Sequence, residues 1–159
     1  MWCFTDWQMP NESGLDLIRA IRERPNSPEP LLPVFLLTAS GDAEHVRAGR
    51  DAGAAGFLVK PISVRGITER VIDVVTRERW FIVSPGYTGP DRQRANRPAK
   101  VERRSRGELP AGVVVLPPDG LLKAKVSGDA TALRKALRRH ANSVALFRAV
   151  SPSSDVRIQ

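Results

Sequence analysis

The first half of the chain predicts an α/β fold built on a parallel sheet. Three observations carry that expectation. Short apolar runs alternate with segments whose apolar residues recur at helical spacing, the pattern of successive βα units. Each run stops at a residue with a reactive or polar side chain: Asp6, Thr38 or Lys60. Charge then divides the chain. Residues 1–79 hold 10 Lys/Arg against 11 Asp/Glu, whereas residues 80–159 hold 15 against 6, so the net charge of +8 resides in the second half. Such an asymmetry points to two parts with different physical roles.

The elements follow in order. Trp2-Cys3-Phe4-Thr5 reads as a strand that carries Asp6 at its end. Met9-Pro10-Asn11-Glu12 is a polar turn, and Ser13 caps a helix from about Leu15 to Arg24 with Leu17, Ile18 and Ile21 on one face. Pro25 to Pro33 is a loop rich in Pro and polar residues. Val34-Phe35-Leu36-Leu37 is a continuous apolar run, as expected of a strand buried on both faces. Asp42 to Ala52 forms a second helix stopped by Gly53. Gly56-Phe57-Leu58-Val59 is another short buried strand, broken by Lys60-Pro61. Ile67, Val71, Val74 and Val75 then mark a third helix.

The remainder has a different texture. The expected division is a unit over 1–79, a Pro/Gly/Arg-rich linker over 80–110, a short element over 111–150 and a tail over 151–159. The linker and tail compositions suit partial disorder. Val113–Leu116 is a small apolar run, and Asp129 to about Leu146 is a basic amphipathic helix. Leu133, Leu137, His140 and Val144 line its apolar face. One Cys implies no disulfide framework, and no apolar segment has the length of a membrane span. Without the basic flank and apolar core of a secretory signal, a cytoplasmic location without membrane contact is expected.

The strand ends carry the chemistry. In a parallel sheet the ends at Asp6, Thr38-Ala39 and Lys60-Pro61 share one edge, where open α/β sheets keep their sites. An anion there meets a carboxylate, a hydroxyl and an ammonium. Phosphoryl transfer to a carboxylate needs that set: a nucleophile, a donor, and a cation for the phosphoryl oxygens. A divalent metal ordinarily neutralises the remaining charge.

The stretches Asp6-Trp7-Gln8-Met9-Pro10 with Gly14, Leu32-Pro33-Val34-Phe35-Leu36-Leu37-Thr38-Ala39, and Ala52-Gly53-Ala54-Ala55-Gly56-Phe57-Leu58-Val59-Lys60-Pro61 occur in order. Together they resemble the latter two-thirds of a response-regulator receiver domain, the flavodoxin-like fold of the chemotaxis receivers. The resemblance spans residues 2–79. It implies the last three βα units of a doubly wound parallel sheet, followed by a basic extension with one amphipathic helix. It implies that Asp6 accepts phosphate from a sensor histidine kinase or phosphotransfer protein. Thr38 would bond the phosphoryl group and move toward it, and Lys60 would pair with a phosphoryl oxygen. Pro61 would follow Lys60 through a cis peptide, and Phe57 would be the switch aromatic, turning inward when Thr38 moves. Asp6 and the Gln8 backbone carbonyl would be ligands of Mg²⁺.

The matching stretches lack the pair of acids that completes the metal site in that family, so metal affinity is expected to drop. An N-terminally truncated receiver is therefore the expectation, with the Asp6 strand as a bare sheet edge. Such a protein is a signalling module, not an enzyme, and acts on an unidentified downstream protein. The alternative is a phosphorylation-incompetent interaction module whose basic tail binds protein or nucleic acid. Arg92, Arg94, Arg97, Lys100, Arg103, Arg104 and Arg106 would neutralise phosphates. No helix-turn-helix of ordinary length, zinc ligand set or stacking platform accompanies them, which favours a solvated linker.

Other residues have blander expectations. Cys3 is a strand residue, His45 an exposed residue on a polar helix face, and His140 a core-facing residue of the tail helix. Trp80 and Phe81 pack back on the last receiver helix. The segment Ser84 to Arg92 resembles the Gly-Pro-Asp-Arg tail of some bacterial receivers. It is read either as a solvated linker or as a docking peptide anchored by Tyr87.

Overall fold

A computed structural model describes residues 2–24, 27–77, 79–92, 113–116 and 128–150. The first layer is a parallel sheet of β1 (Cys3–Asp6), β2 (Val34–Thr38) and β3 (Gly56–Val59), in the order β1-β2-β3. Helices α1 (Gly14–Glu23), α2 (Ala43–Asp51) and α3 (Val64–Thr76) follow the three strands in turn.

Each helix begins where its sequence permits. The Ser13 hydroxyl accepts from the Asp16 N–H at 3.2 Å, and the Asp16 carboxylate accepts from the Ser13 N–H at 3.2 Å. This reciprocal pair satisfies two N–H groups that a helix start leaves without partners. Asp42 caps α2 by accepting from the His45 N–H, and Ser63 caps α3 by accepting from the Gly66 N–H.

Strand pairing explains the sidedness. Cys3 pairs with Val34 and Thr5 with Leu36, while Phe4 pairs with Phe35 on the opposite face. Ile18 of α1 joins Val34, Leu36, Ala52 and Ala54 in the main core, with Trp7, Leu32 and Phe57 packed against it. Gly49 brings α2 close enough to β3 that a Cβ there would press on the Phe57 ring. Phe4 and Phe35 stack on the other face with centroids 5.0 Å apart.

The expected linker over 80–110 is corrected in its first part. Phe81–Ser84 (β4) and Tyr87–Pro90 (β5) form an antiparallel hairpin, and β6 (Val114–Leu116) pairs with the far side of β4. The run Phe81-Ile82-Val83 is β-prone, and pairing it buries Phe81, Val83 and Leu116 against Leu31. Phe81 therefore packs within this second sheet. The linker residues 93–110, with their arginines, and the tail 151–159 lie outside the described residues.

The two sheets meet at one buried side chain. Arg22, on the inner face of α1, is 1% exposed. Its guanidinium donates to Pro30 O at 2.6 Å, Leu32 O at 2.7 Å and Gly53 O at 3.1 Å. The Phe81 ring of β4 lies beneath it, 5.2 Å from Cζ to centroid. Burial lowers the Arg22 pKa to about 10, so the group keeps its proton and all its donors near neutrality. Gly53 makes the junction possible. Its φ of +95° suits glycine, and a Cβ there would sit 2.7 Å from Thr88 O of β5.

The last helix, α4 (Ala130–Val150), keeps most of its expected face, with Leu133, His140 and Val144 half-buried and Leu137 as the exception. Ala136 is buried beside Ala132 and Leu133, Ser143 is buried, and Leu137 is 46% exposed. His140 faces inward, but as a polar partner: its Nε2 lies 2.9 Å from Glu29 Oε1 in the loop before β2.

Replacing Arg22 by Met should leave several carbonyl groups short of donors and lower stability by about 3 kcal/mol. Arg22→Lys should recover only part, because an ammonium lacks the planar fork. Urea denaturation of the full chain measures both. Equal stability of wild type and Arg22→Met would show that the junction carries no energetic weight.

Candidate functional site

Parallel register brings the three strand ends together. Asp6 pairs with Leu37, and Thr38 with Val59. Hydrogen bonding continues one step further, from Trp7 N to Leu37 O at 2.8 Å and from Lys60 N to Thr38 O at 2.8 Å. Asp6, Thr38 and Lys60 thus emerge side by side at the carboxyl edge of the sheet.

Lys60 Nζ donates to Asp6 Oδ2 at 2.5 Å. This hydrogen bond holds the Asp6 carboxyl below its ordinary value. The Lys60 charge and the Gln8 and Trp7 backbone N–H groups pull the same way, and desolvation opposes them. The two side chains are 43% and 38% exposed, so the pair adds little stability. Its importance is positional: a carboxylate kept ionised and open, with a cation already beside it.

Supporting residues shape the edge. A Cβ at Gly14 would run into the Asp6 carbonyl oxygen, so glycine lets α1 start directly against the strand end. Thr38 is 2% exposed. Its hydroxyl donates to Ser40 O at 2.9 Å and accepts from Ser40 N at 3.1 Å. The bonds given to this hydroxyl tie it to its own loop, not to Asp6. Phe57 is half-buried against the core beneath α2. The Lys60–Pro61 peptide is cis.

One neighbour makes a contact beyond its sequence expectation. His45 is partly exposed, with its side chain 38% open. Its ring lies 4.7 Å from the Trp7 ring, and its Nδ1 is 2.7 Å from Asp42 Oδ2. Asp42 also accepts from the Ser40 hydroxyl at 2.6 Å. The His45 backbone N–H, then Ser40 and the His45 ring, hold the Asp42 carboxyl far below its usual range. Sequence reasoning could have found this contact only from Trp7 following the acid, because a helical His carries no signal of its tertiary neighbour. Cys3 is a half-buried free cysteine of β1.

The donor set bears on Mg²⁺. That ion wants near-octahedral oxygen coordination, commonly with one or two carboxylates. Asp6 supplies one carboxylate, already bonded to Lys60, and Gln8 supplies a backbone carbonyl. No group of three or more His, Cys, Asp or Glu side chains gathers into a metal site among the described residues. These residues alone do not fit a Mg²⁺ centre.

An acid, a hydroxyl and a lysine thus stand on adjacent parallel strand ends, and comparison with known proteins bears on that arrangement. The family described as response regulator receiver domain matches residues 2–72. Those residues carry the match to a response regulator receiver domain, called the receiver below. The receiver is similar to the phosphate regulon transcriptional regulatory protein PhoB of Rhizobium meliloti, with 33% identity over 64% of this chain and 44% of that protein. It is also similar to the chemotaxis protein CheY of Pseudomonas aeruginosa, with 33% identity over 46% of this chain and 57% of that protein. Response regulator RppA of Synechocystis is 41% identical over 48% of this chain and 31% of its own length. The chain therefore spans less than two-thirds of each of these relatives. The relatives tie the receiver to two-component signalling in general. No helix among the described residues is long and apolar enough to cross a membrane.

Because the folded Asp6 pKa is depressed, the pair contributes its stability above the ordinary carboxylate pKa. That contribution disappears as pH falls through the folded value. Lys60→Met should raise the Asp6 pKa toward its ordinary value and remove this acid-side dependence. A pH titration of the Asp6 carboxyl carbon by NMR reads the shift directly. An unchanged pKa would mean that Lys60 does not hold the carboxylate in solution.

Proposed function

We propose that the receiver accepts a phosphoryl group on Asp6 from a sensor histidine kinase or phosphotransfer protein. It passes the signal on through altered protein contacts, not as an enzyme. The observation that carries this reading is the Asp6–Lys60 contact at the sheet edge, with Thr38 on the strand between them. An Asp6 carboxylate oxygen attacks phosphorus, and the P–N bond of the phosphohistidine breaks. Its electron pair stays on the departing imidazole. The Lys60 ammonium, already hydrogen-bonded to Asp6, moves onto a phosphoryl oxygen and offsets the new charge. The Thr38 hydroxyl reaches the same group only by releasing Ser40 O. By the family resemblance, that movement lets Phe57 turn inward, which would couple added charge to a packing change. The downstream protein is identified by the face that this change alters.

A second reading is an interaction module that does not take phosphate. Among the described residues no group of three or more metal-ligating side chains gathers there, which favours it. Binding of nucleic acid by the basic segment belongs to this reading.

Acetyl phosphate, with and without MgCl₂, separates the two. Intact-mass measurement should show one phosphoryl adduct, sensitive to hydroxylamine and absent from Asp6→Asn. Lys60→Ala should slow its formation by about 10²-fold, the scale of losing one group that stabilises transition-state charge. No adduct on the wild-type chain under either condition would establish the inert module.

A further inference from the structure

A cleft of about 630 Å³ opens beside α2, β3 and α3; it reaches Gly41 and Val59 near the carboxyl edge, but neither Asp6 nor Lys60 lines it. Val46 and Arg50 of α2, Phe57 of β3, and Arg70 and Val74 of α3 form its walls. Pro90, Asp91 and Arg92 close the remaining side. That last wall lies outside the part of the chain that matches the receiver family. The cleft is therefore a joint product of the receiver and the added hairpin.

Its charges are unevenly matched. Arg79 is held by Asp73 at 3.3 Å and by Ala55 O at 3.2 Å. Arg92 is held by Asp51 at 3.2 Å and lies 3.7 Å over the Tyr87 ring. Tyr87 is consumed inside the hairpin, donating to Pro90 O at 2.6 Å, and is not a free docking anchor. Glu69 is taken by Arg65 at 2.8 Å. Among the described residues, the guanidinium groups of Arg50 and Arg70 enter no ion pair. Asp91 adds a carboxylate to the lining, so four arginines meet three acids and the cleft keeps a surplus of one positive charge beside an apolar floor of Phe57, Val46 and Val74.

We propose that this cleft binds a small anion with a planar apolar body, an aryl carboxylate in chemical class. The volume falls in the range of small-molecule sites, roughly 300–1,000 Å³. The floor suits a flat hydrocarbon surface, and arginine suits both the carboxylate and stacking on the ring. A purely inorganic anion leaves the floor unused. The chain's own following segment is a poor occupant, because Arg94, Arg97, Lys100, Arg103, Arg104 and Arg106 repeat the sign of the cleft.

Titrating 2-naphthoate into the full chain, followed by calorimetry and amide chemical shifts, tests this. Binding should saturate, with shifts centred on residues 56–59 and 66–74. Arg50→Ala and Arg70→Ala should each weaken it about tenfold, as expected for losing a charged hydrogen bond. Both side chains are exposed and enter no ion pair, so the fold should persist, which circular dichroism checks. Asp6→Asn should bind as wild type, which separates this site from the phosphoacceptor. The proposal is overturned by absence of saturable binding, by undiminished affinity in the double variant Arg50→Glu/Arg70→Glu, or by inorganic phosphate binding as tightly as naphthoate.

Discussion

Arg22 sits where the two sheets of this protein meet. A charged guanidinium inside a protein is tolerated only when its donors are met. Here the carbonyls come from two different turns, Pro30–Leu32 ahead of β2 and Gly53 ahead of β3. Both turns set where a strand of the parallel sheet begins. Phe81 then covers the same group from the second sheet. One side chain therefore ties α1, the starts of two strands and the hairpin into a single arrangement.

That arrangement reaches the site through register. Once β2 and β3 start at fixed points, Thr38 and Lys60 end level with Asp6, since parallel strands advance together. Gly14 then seats α1 against the Asp6 carbonyl, so the helix that bears Arg22 also adjoins the carboxylate. Burial at one end of the sheet and an exposed ion pair at the other are linked by the same short strands. The energetic weight lies at the Arg22 end, because an exposed pair such as Asp6–Lys60 contributes little to stability.

Much of this was legible in the residue order. The apolar runs at Val34–Leu37 and Gly56–Val59 are buried strands, and Ser13 caps a helix where a short polar residue precedes apolar periodicity. Asp6, Thr38 and Lys60 stand out because each closes an apolar strand at the same sheet edge, although Thr38 also suits a strand end structurally. Arg22 was not legible: it shares the face of Ile18, but a long basic residue at the border of an apolar stripe usually points to water. The hairpin was obscured by Pro85, Gly86, Gly89 and Pro90, which read as linker composition. Pairing with Val114–Leu116, distant in sequence, is what makes Phe81–Ser84 a central strand. His45 likewise becomes a neighbour of Trp7 only when α2 is laid on the sheet.

By itself, the sequence determined the parallel α/β order of the receiver, the Ser13 start of its first helix and the three residues at the carboxyl edge. These follow from local rules: alternation of strand and helix periods, short-range caps, and the direction of parallel strands. Only the tertiary structure decided that Lys60 bonds Asp6, that Thr38 is held by Ser40, and that the hairpin leans on Gly53 to wall a cationic cleft. Those outcomes depend on contacts between residues far apart in the chain. Their energies come from desolvation and geometry, quantities that a residue acquires only when its neighbours are in place.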